Sequence, residues 1–259
     1  MANRGTIEGD IQEIADVIYI NSHKKEFVDF FKIFSNDINN LWIARVTTNQ
    51  LSKLTNKVVK TRSDAFVIES FSDELNEEIA KGYLLDENIL AKHPGKYKKF
   101  EKSGISIKLD DSTNFQILKA GPGSFGALFS NTELGAGASL FCKKEIELPK
   151  NEALLKGWNT TPDKMIAFFK EFKLSPSFYL DKDECTKIKN YSTKKIKELI
   201  DGSSELQKKI FNGIDVYEEP YCAYYFLQNK TISPLTYIPF SVTTGSGRSH
   251  GDYTIVLKP

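Results

Sequence analysis

The chain has 259 residues, 40% hydrophobic and 27% charged, a length and balance that fit a folded protein with a real core. No apolar run approaches the roughly 18–20 residues of a membrane helix, and residues 1–10 are polar with no signal-peptide core, so a soluble, cytoplasmic protein without a membrane partner is expected. A net charge of +1 announces no polyanionic partner by itself, so any such partner has to show in the distribution of charge.

Ile7, Ile11, Ile14 and Ile18 recur at helical spacing, which predicts an amphipathic helix over 6–20 with Thr6 as its N-cap. Phe27, Phe30, Phe31 and Phe34 continue as a second helix. Residues 41–46 and 58–68 read as strands, the second with Phe66 and Ile68 on the face that carries Asp64. Residues 73–102 read as charged helix broken at Pro94-Gly95. Strands over 104–109 and 115–118 flank the polar turn Asp110-Asp111-Ser112-Thr113, a hairpin signal. After a Gly-rich stretch at 121–137, helices are expected over 162–173, 192–200 and 205–211, then strands over 223–227, 235–242 and 253–257. This mixture predicts an α/β fold, with only a soft boundary near 149–151.

Cys142, Cys185 and Cys222 are odd in number and widely spaced, which argues for reduced thiols rather than a disulfide framework or structural metal. Lysines crowd two stretches: Lys92, Lys96, Lys98, Lys99, Lys102 and Lys108, then eight between Lys182 and Lys209. Such runs mark either a solvated face or a surface for phosphates.

Two strands place polar groups where chemistry can use them. In 104–109, Ser106 and Lys108 are two apart and project from one side, while Ile105, Ile107 and Leu109 anchor the other. In 58–68, Asp64 supplies a carboxylate. A metal-assisted phosphodiesterase needs hard oxygen ligands for Mg²⁺ and a cation that orients water or stabilises developing charge.

An Asp on one strand followed by x-Lys on the next, behind a first helix that carries Glu, resembles the PD-(D/E)xK nucleases, and type II restriction endonucleases in particular. The resemblance covers roughly residues 4–140. It implies a mixed central sheet flanked by helices, in a single nuclease domain over 1–259. The catalytic core would be about 1–150, and 151–259 an extension for DNA recognition. It implies Asp64, Ser106 and Lys108 as catalytic residues and Mg²⁺ held by Asp64 and Glu8. It also implies sequence-specific cutting of double-stranded DNA by a homodimer. The sequence departs from the pattern at Ser63, where the motif has Pro, and at Ser106, where it usually has Asp or Glu. Another acid must therefore enter the site: Glu8 first, then Glu69 or Glu133.

Lys96, Lys99 and Lys119, with Arg248, Ser249 and His250 of the late Gly-rich loop, are candidate DNA contacts, since Arg reads guanine and Lys holds phosphates. Two other readings stand beside the nuclease: a non-catalytic nucleic-acid-binding relative, and a nucleotide-binding enzyme built on Gly121, Gly123 and Gly126.

Overall fold

The computed structural model describes residues 4–140, 145–171, 177–244 and 254–259. In chain order the elements are α1 (Arg4–Ser22), α2 (Val28–Phe31), β1 (Leu41–Arg45), α3 (Thr48–Thr55), β2 (Ala65–Ser70), α4 (Asp73–Ala80), α5 (Glu87–Lys92), β3 (Tyr97–Lys99) and β4 (Ile105–Ile107). Then come β5 (Leu118–Ala120), α6 (Pro122–Phe129), α7 (Thr132–Ser139), β6 (Ile146–Glu147), α8 (Glu152–Gly157), α9 (Pro162–Lys170), β7 (Tyr179–Leu180), α10 (Lys182–Asp201) and α11 (Ser204–Gln207). The last strands are β8 (Tyr225–Gln228), β9 (Thr231–Pro234), β10 (Ser241–Thr244) and β11 (Ile255–Lys258). The fold is mixed α/β, and among the described residues no helix is long and apolar enough to cross a membrane.

The chain forms two compact units that interleave in sequence. The first comprises Met1–Thr113 and Phe211–Thr236, the second Asn114–Ile210 and Tyr237–Pro259. The first unit holds a mixed sheet in the order β1-β2-β4-β8-β9, with β3 also on β2. Its neighbours are antiparallel except β4 and β8, which run parallel. Strand alternation gives this sheet two buried faces. Leu41, Ile43, Ala65, Val67, Ile105 and Ile107 pack with Val17, Ile20 and Phe31 on one. Trp42, Ala44, Phe66 and Ile68 pack with Leu51, Leu75, Ile79 and Leu90 on the other. Helices thus cover both faces, α1 and α2 on one and α3 to α5 on the other. In the second unit, β10-β11-β5 forms a small antiparallel sheet, and α7 packs closely on α10 and α9.

Several expected elements differ. Helix α1 runs from Arg4, so Thr6 lies inside it rather than capping it. Its buried face is not the isoleucine stripe. Ile7 and Ile11 are exposed, and Asp16, Val17, Ile20 and Asn21 are buried. The polar members of that face are satisfied by distant partners: Asn21 exchanges hydrogen bonds with the Ile43 backbone at 2.8 and 2.9 Å. The strand expected over 58–68 is β2, which starts only at Ala65. The charged run 73–102 is two short helices and then β3, so Lys98 and Lys99 lie on a strand.

The hairpin expected between 104–109 and 115–118 does not form. Strand β4 pairs with β2 and β8, and β5 belongs to the second unit's sheet. The polar turn finds long-range partners instead. Asp110 accepts from Asn229 N at 2.8 Å, Asn229 accepts from Asp111 N at 2.9 Å, and Gln228 donates to the Leu109 and Ser112 carbonyls. Because β5 lies in an antiparallel sheet, Gly121, Gly123 and Gly126 do not sit in the parallel β-α-β unit that a dinucleotide loop requires.

Candidate active site

Asp64 sits one residue before β2, where the ladder between β2 and β4 ends. Its backbone N–H donates to the Ile105 carbonyl at 2.8 Å. Its side chain then continues the ladder, with Oδ2 accepting from Ile107 N at 2.7 Å. The carboxylate thereby replaces a strand's main-chain acceptor and is held rigidly against β4. The Ser106 hydroxyl donates to the same Oδ2 at 3.4 Å. Lys108 Nζ lies 3.6 Å from that oxygen and donates to the Ile107 carbonyl at 3.0 Å. Asp64, Ser106 and Lys108 therefore come together as the sequence pattern requires, with Ser106 buried and the two charged groups partly open to solvent.

Gly104, just before β4, lets the chain pass close to the backbone at Pro220 and Cys222 and to Ser63. A Cβ there would lie 1.9 Å from the Cys222 carbonyl oxygen and 2.9 Å from Ser63 Cβ. Gly104→Ala is expected to destabilise the protein by about 3 kcal/mol or more, because backbone rather than a flexible side chain must move. An unfolding midpoint equal to that of the wild type would show that the strands can part without cost.

On α1 the charge of Asp64 acts on Glu13, a carboxylate the sequence reading did not single out. Glu8 is exposed and, five residues away, points about 140° around the helix from Glu13. Arg45 of β1 holds Glu13 through Nε at 3.0 Å and Nη2 at 2.6 Å, and reaches Asp10 at 2.7 Å. Burial and the nearby charge of Asp64 push the Glu13 carboxyl up to about 7, against the lowering influence of Arg45. The Asp64 and Glu13 carboxylates are thus close enough for their charges to interact.

Helix α1 is fixed to the loop that follows Lys108. Gln12 donates to Asp16 at 3.1 Å and to Asp110 at 3.2 Å. Lys230, in the turn between β8 and β9, pairs with fully buried Asp16 and lies 3.7 Å from Asp110. Removing one partner of a buried pair strands the other charge. Lys230→Met is therefore expected to cost about 3 kcal/mol in chemical unfolding, with most of the loss recovered in the Asp16→Asn, Lys230→Met double variant. Equal stability of the single variant and the wild type would remove the network from the account.

The remaining candidates have other partners, are exposed, belong to the second unit or fall outside the described residues. Glu69 is on β2, paired in register with Leu41 and Lys98. Glu133 belongs to the second unit, on α7, and accepts from Thr160 at 2.6 Å. Lys99 donates to buried Glu87 at 2.9 Å and to Tyr221 at 3.0 Å. Lys96 and Lys119 are exposed. Arg248, Ser249, His250 and Cys142 fall outside the described residues.

Among the described residues no three His, Cys, Asp or Glu side chains gather as a metal cage. The donors around Asp64 nevertheless suit Mg²⁺, which takes one or two carboxylates and keeps several waters. Asp64 and Glu13 are hard oxygen donors. Within a strand the N–H and C=O of one residue point the same way, so the Ile107 carbonyl, like its N–H, faces Asp64 rather than a strand partner. Compared with known protein families and with curated proteins, the chain matches none.

Proposed function

We propose that this chain is a divalent-metal-dependent nuclease that hydrolyses phosphodiester bonds of double-stranded DNA, with a restriction-endonuclease-like first unit. One juxtaposition carries the reading: Asp64 entering β2, Ser106 on the paired strand β4 with Lys108 directly after it, and Glu13 on the first helix. This is the helix-acid, strand-acid, x-Lys order of the PD-(D/E)xK pattern, with Glu13 compensating for Ser106. The likeness to restriction enzymes extends the proposal to sequence-specific cutting by a homodimer.

Asp64, Glu13 and the Ile107 carbonyl oxygen would hold the ion, which when bound polarises the phosphate and lowers the pKa of an attacking water. Lys108 orients that water and stabilises charge on the phosphate oxygens. Ser106 and Ile107 N fix the Asp64 carboxylate so that the site needs little reorganisation. Asp64 and Glu13 repel one another until a cation or proton lies between them.

The test is plasmid DNA incubated with the protein and Mg²⁺, with and without EDTA. Defined fragments that vanish with EDTA are expected. Binding without cleavage would replace the reading with that of a non-catalytic nucleic-acid binder, which the serine at position 106 would then explain.

A further inference from the structure

Between Asp37 and Asp64 the chain has no acidic residue but five cations: Arg45, Lys53, Lys57, Lys60 and Arg62. The last four lie on α3 and the segment that leads from it into Asp64. That segment folds back on α3 in a defined way. Thr47 caps the helix through Gln50 N at 3.1 Å, and Asn56 ends it with a left-handed φ of 53°. Ser52 Oγ then accepts from Val59 N at 3.1 Å, and the Thr48 and Thr61 hydroxyls meet at 3.4 Å. Leu51 and Val59 turn inward onto the core beside Phe66. Arg62 closes the turn, its N–H donating to the Tyr221 carbonyl at 2.8 Å and its Nε to the Phe211 carbonyl at 3.0 Å.

What remains outside is Lys53, Leu54, Lys57, Val58 and Lys60, all exposed. Among the described residues none of the three ammonium groups has a carboxylate partner, whereas Lys99 and Lys230 are neutralised by Glu87 and Asp16. Val58 is 83% exposed, so the outer side offers charge together with an apolar tip. Lys60 stands four positions before Asp64, at most about 14 Å along the chain. With one phosphate per roughly 3.4 Å of each DNA strand, that is about four phosphates.

We propose that the folded arm of α3 and residues 56–62 grips the phosphate backbone of the DNA substrate beside Asp64, with Lys53, Lys57 and Lys60 as its contacts. The proposal rests on the nuclease reading for its substrate but not for its binding chemistry. Counterion release gives it a specific signature, since each phosphate neutralised steepens the salt dependence by about 0.9.

The experiment measures binding of a fluorescent 20-base-pair duplex in EDTA from 50 to 200 mM KCl, and cleavage separately in Mg²⁺. The probe protein is the full chain. The arm variant is Lys53→Gln, Lys57→Gln, Lys60→Gln, the control Lys25→Gln, Lys32→Gln, Lys81→Gln, which removes equal charge from exposed positions of the same unit. The arm variant is expected to lose about 30-fold in affinity at 50 mM KCl and about 2.7 from the salt slope, while the control loses less than threefold. Replacing the three lysines with arginine should restore binding. Equal losses in both variants, or none in the arm variant, would overturn the proposal. So would wild-type protein that ignores DNA but binds vesicles of anionic phospholipid through these lysines. Arm-dependent DNA binding by a protein that never cleaves would sustain the arm and refute the nuclease.

Discussion

Asp64→Asn and Lys108→Met are each expected to reduce DNA cleavage by on the order of 10³-fold, about 4 kcal/mol of barrier, with the fold intact. The choice of substitution matters for Asp64. Its Oδ2 is the acceptor for Ile107 N and Ser106 Oγ, so truncation to Ala would leave a backbone donor at a strand end without its partner. That alone costs about 1 kcal/mol and would blur a catalytic result with a structural one. Asparagine keeps an oxygen for Ile107 N and removes only the charge, so loss of cleavage with an unchanged unfolding midpoint isolates the chemistry. The Lys108 side chain makes one hydrogen bond, to the neighbouring Ile107 carbonyl, and its ammonium is partly solvated. Methionine preserves the packing of its stem. Loss of its charge should lower turnover and leave duplex affinity, measured in EDTA, within about threefold. Wild-type cleavage by either purified variant would remove the residue from the mechanism.

The parts of this site that were legible in the sequence are those set by local geometry. Ser106 and Lys108 share a strand face because side chains alternate, and nothing distant can change that. The general form of the first unit was legible in part, since β1 and β4 are short apolar runs within the expected ranges, while β2 begins seven residues later than expected. What escaped was decided by long-range polar partners. Four isoleucines in helical register outweighed the true buried face of α1, which contains Asp16 and Asn21. Those residues are tolerated inside because Lys230 and Gln12 meet Asp16, and the Ile43 and Tyr83 backbone meets Asn21. Periodicity of apolar residues cannot register a buried face built partly from satisfied polar groups. The proposed role of Glu13 escaped notice for the same reason. Asp10, Glu13 and Asp16 recur every three residues beside Val17 and Ile20, an acidic row that becomes informative once that face is known to be inward. The hairpin failed because Asp110 and Asp111, good turn residues, are engaged by Asn229, more than a hundred residues away.

Glu13→Gln is expected to have opposite effects on stability and on activity. In EDTA, the Glu13 carboxyl is raised from the ordinary 4.5 to about 7 by burial and by Asp64. Between those values the unfolded chain gives up its proton while the folded protein keeps it. Stability therefore falls as pH rises from about 4.5 to 7 and then levels, because the folded state binds more protons than the unfolded one. At 1.36 kcal/mol per pKa unit the penalty above pH 7 is on the order of 2–3 kcal/mol, tempered by the solvent that reaches the side chain. Glutamine carries no such penalty and can still accept a hydrogen bond from Arg45, which also keeps Asp10. The difference in unfolding free energy between variant and wild type should thus grow in the variant's favour from pH 5 to pH 8. Cleavage should move the other way. An ion placed between Asp64 and Glu13 relieves their repulsion, and without the second carboxylate it is under-neutralised. Turnover at limiting Mg²⁺ should fall by more than about tenfold, roughly 1.4 kcal/mol of barrier, and recover in part with excess Mg²⁺ or with Mn²⁺. Glu8→Gln, five residues earlier on the exposed side of α1, should change neither quantity appreciably. If Glu13→Gln leaves both the pH dependence and the Mg²⁺ requirement as they are in the wild type, Glu13 is a structural partner of Arg45 and the second carboxylate must be sought elsewhere.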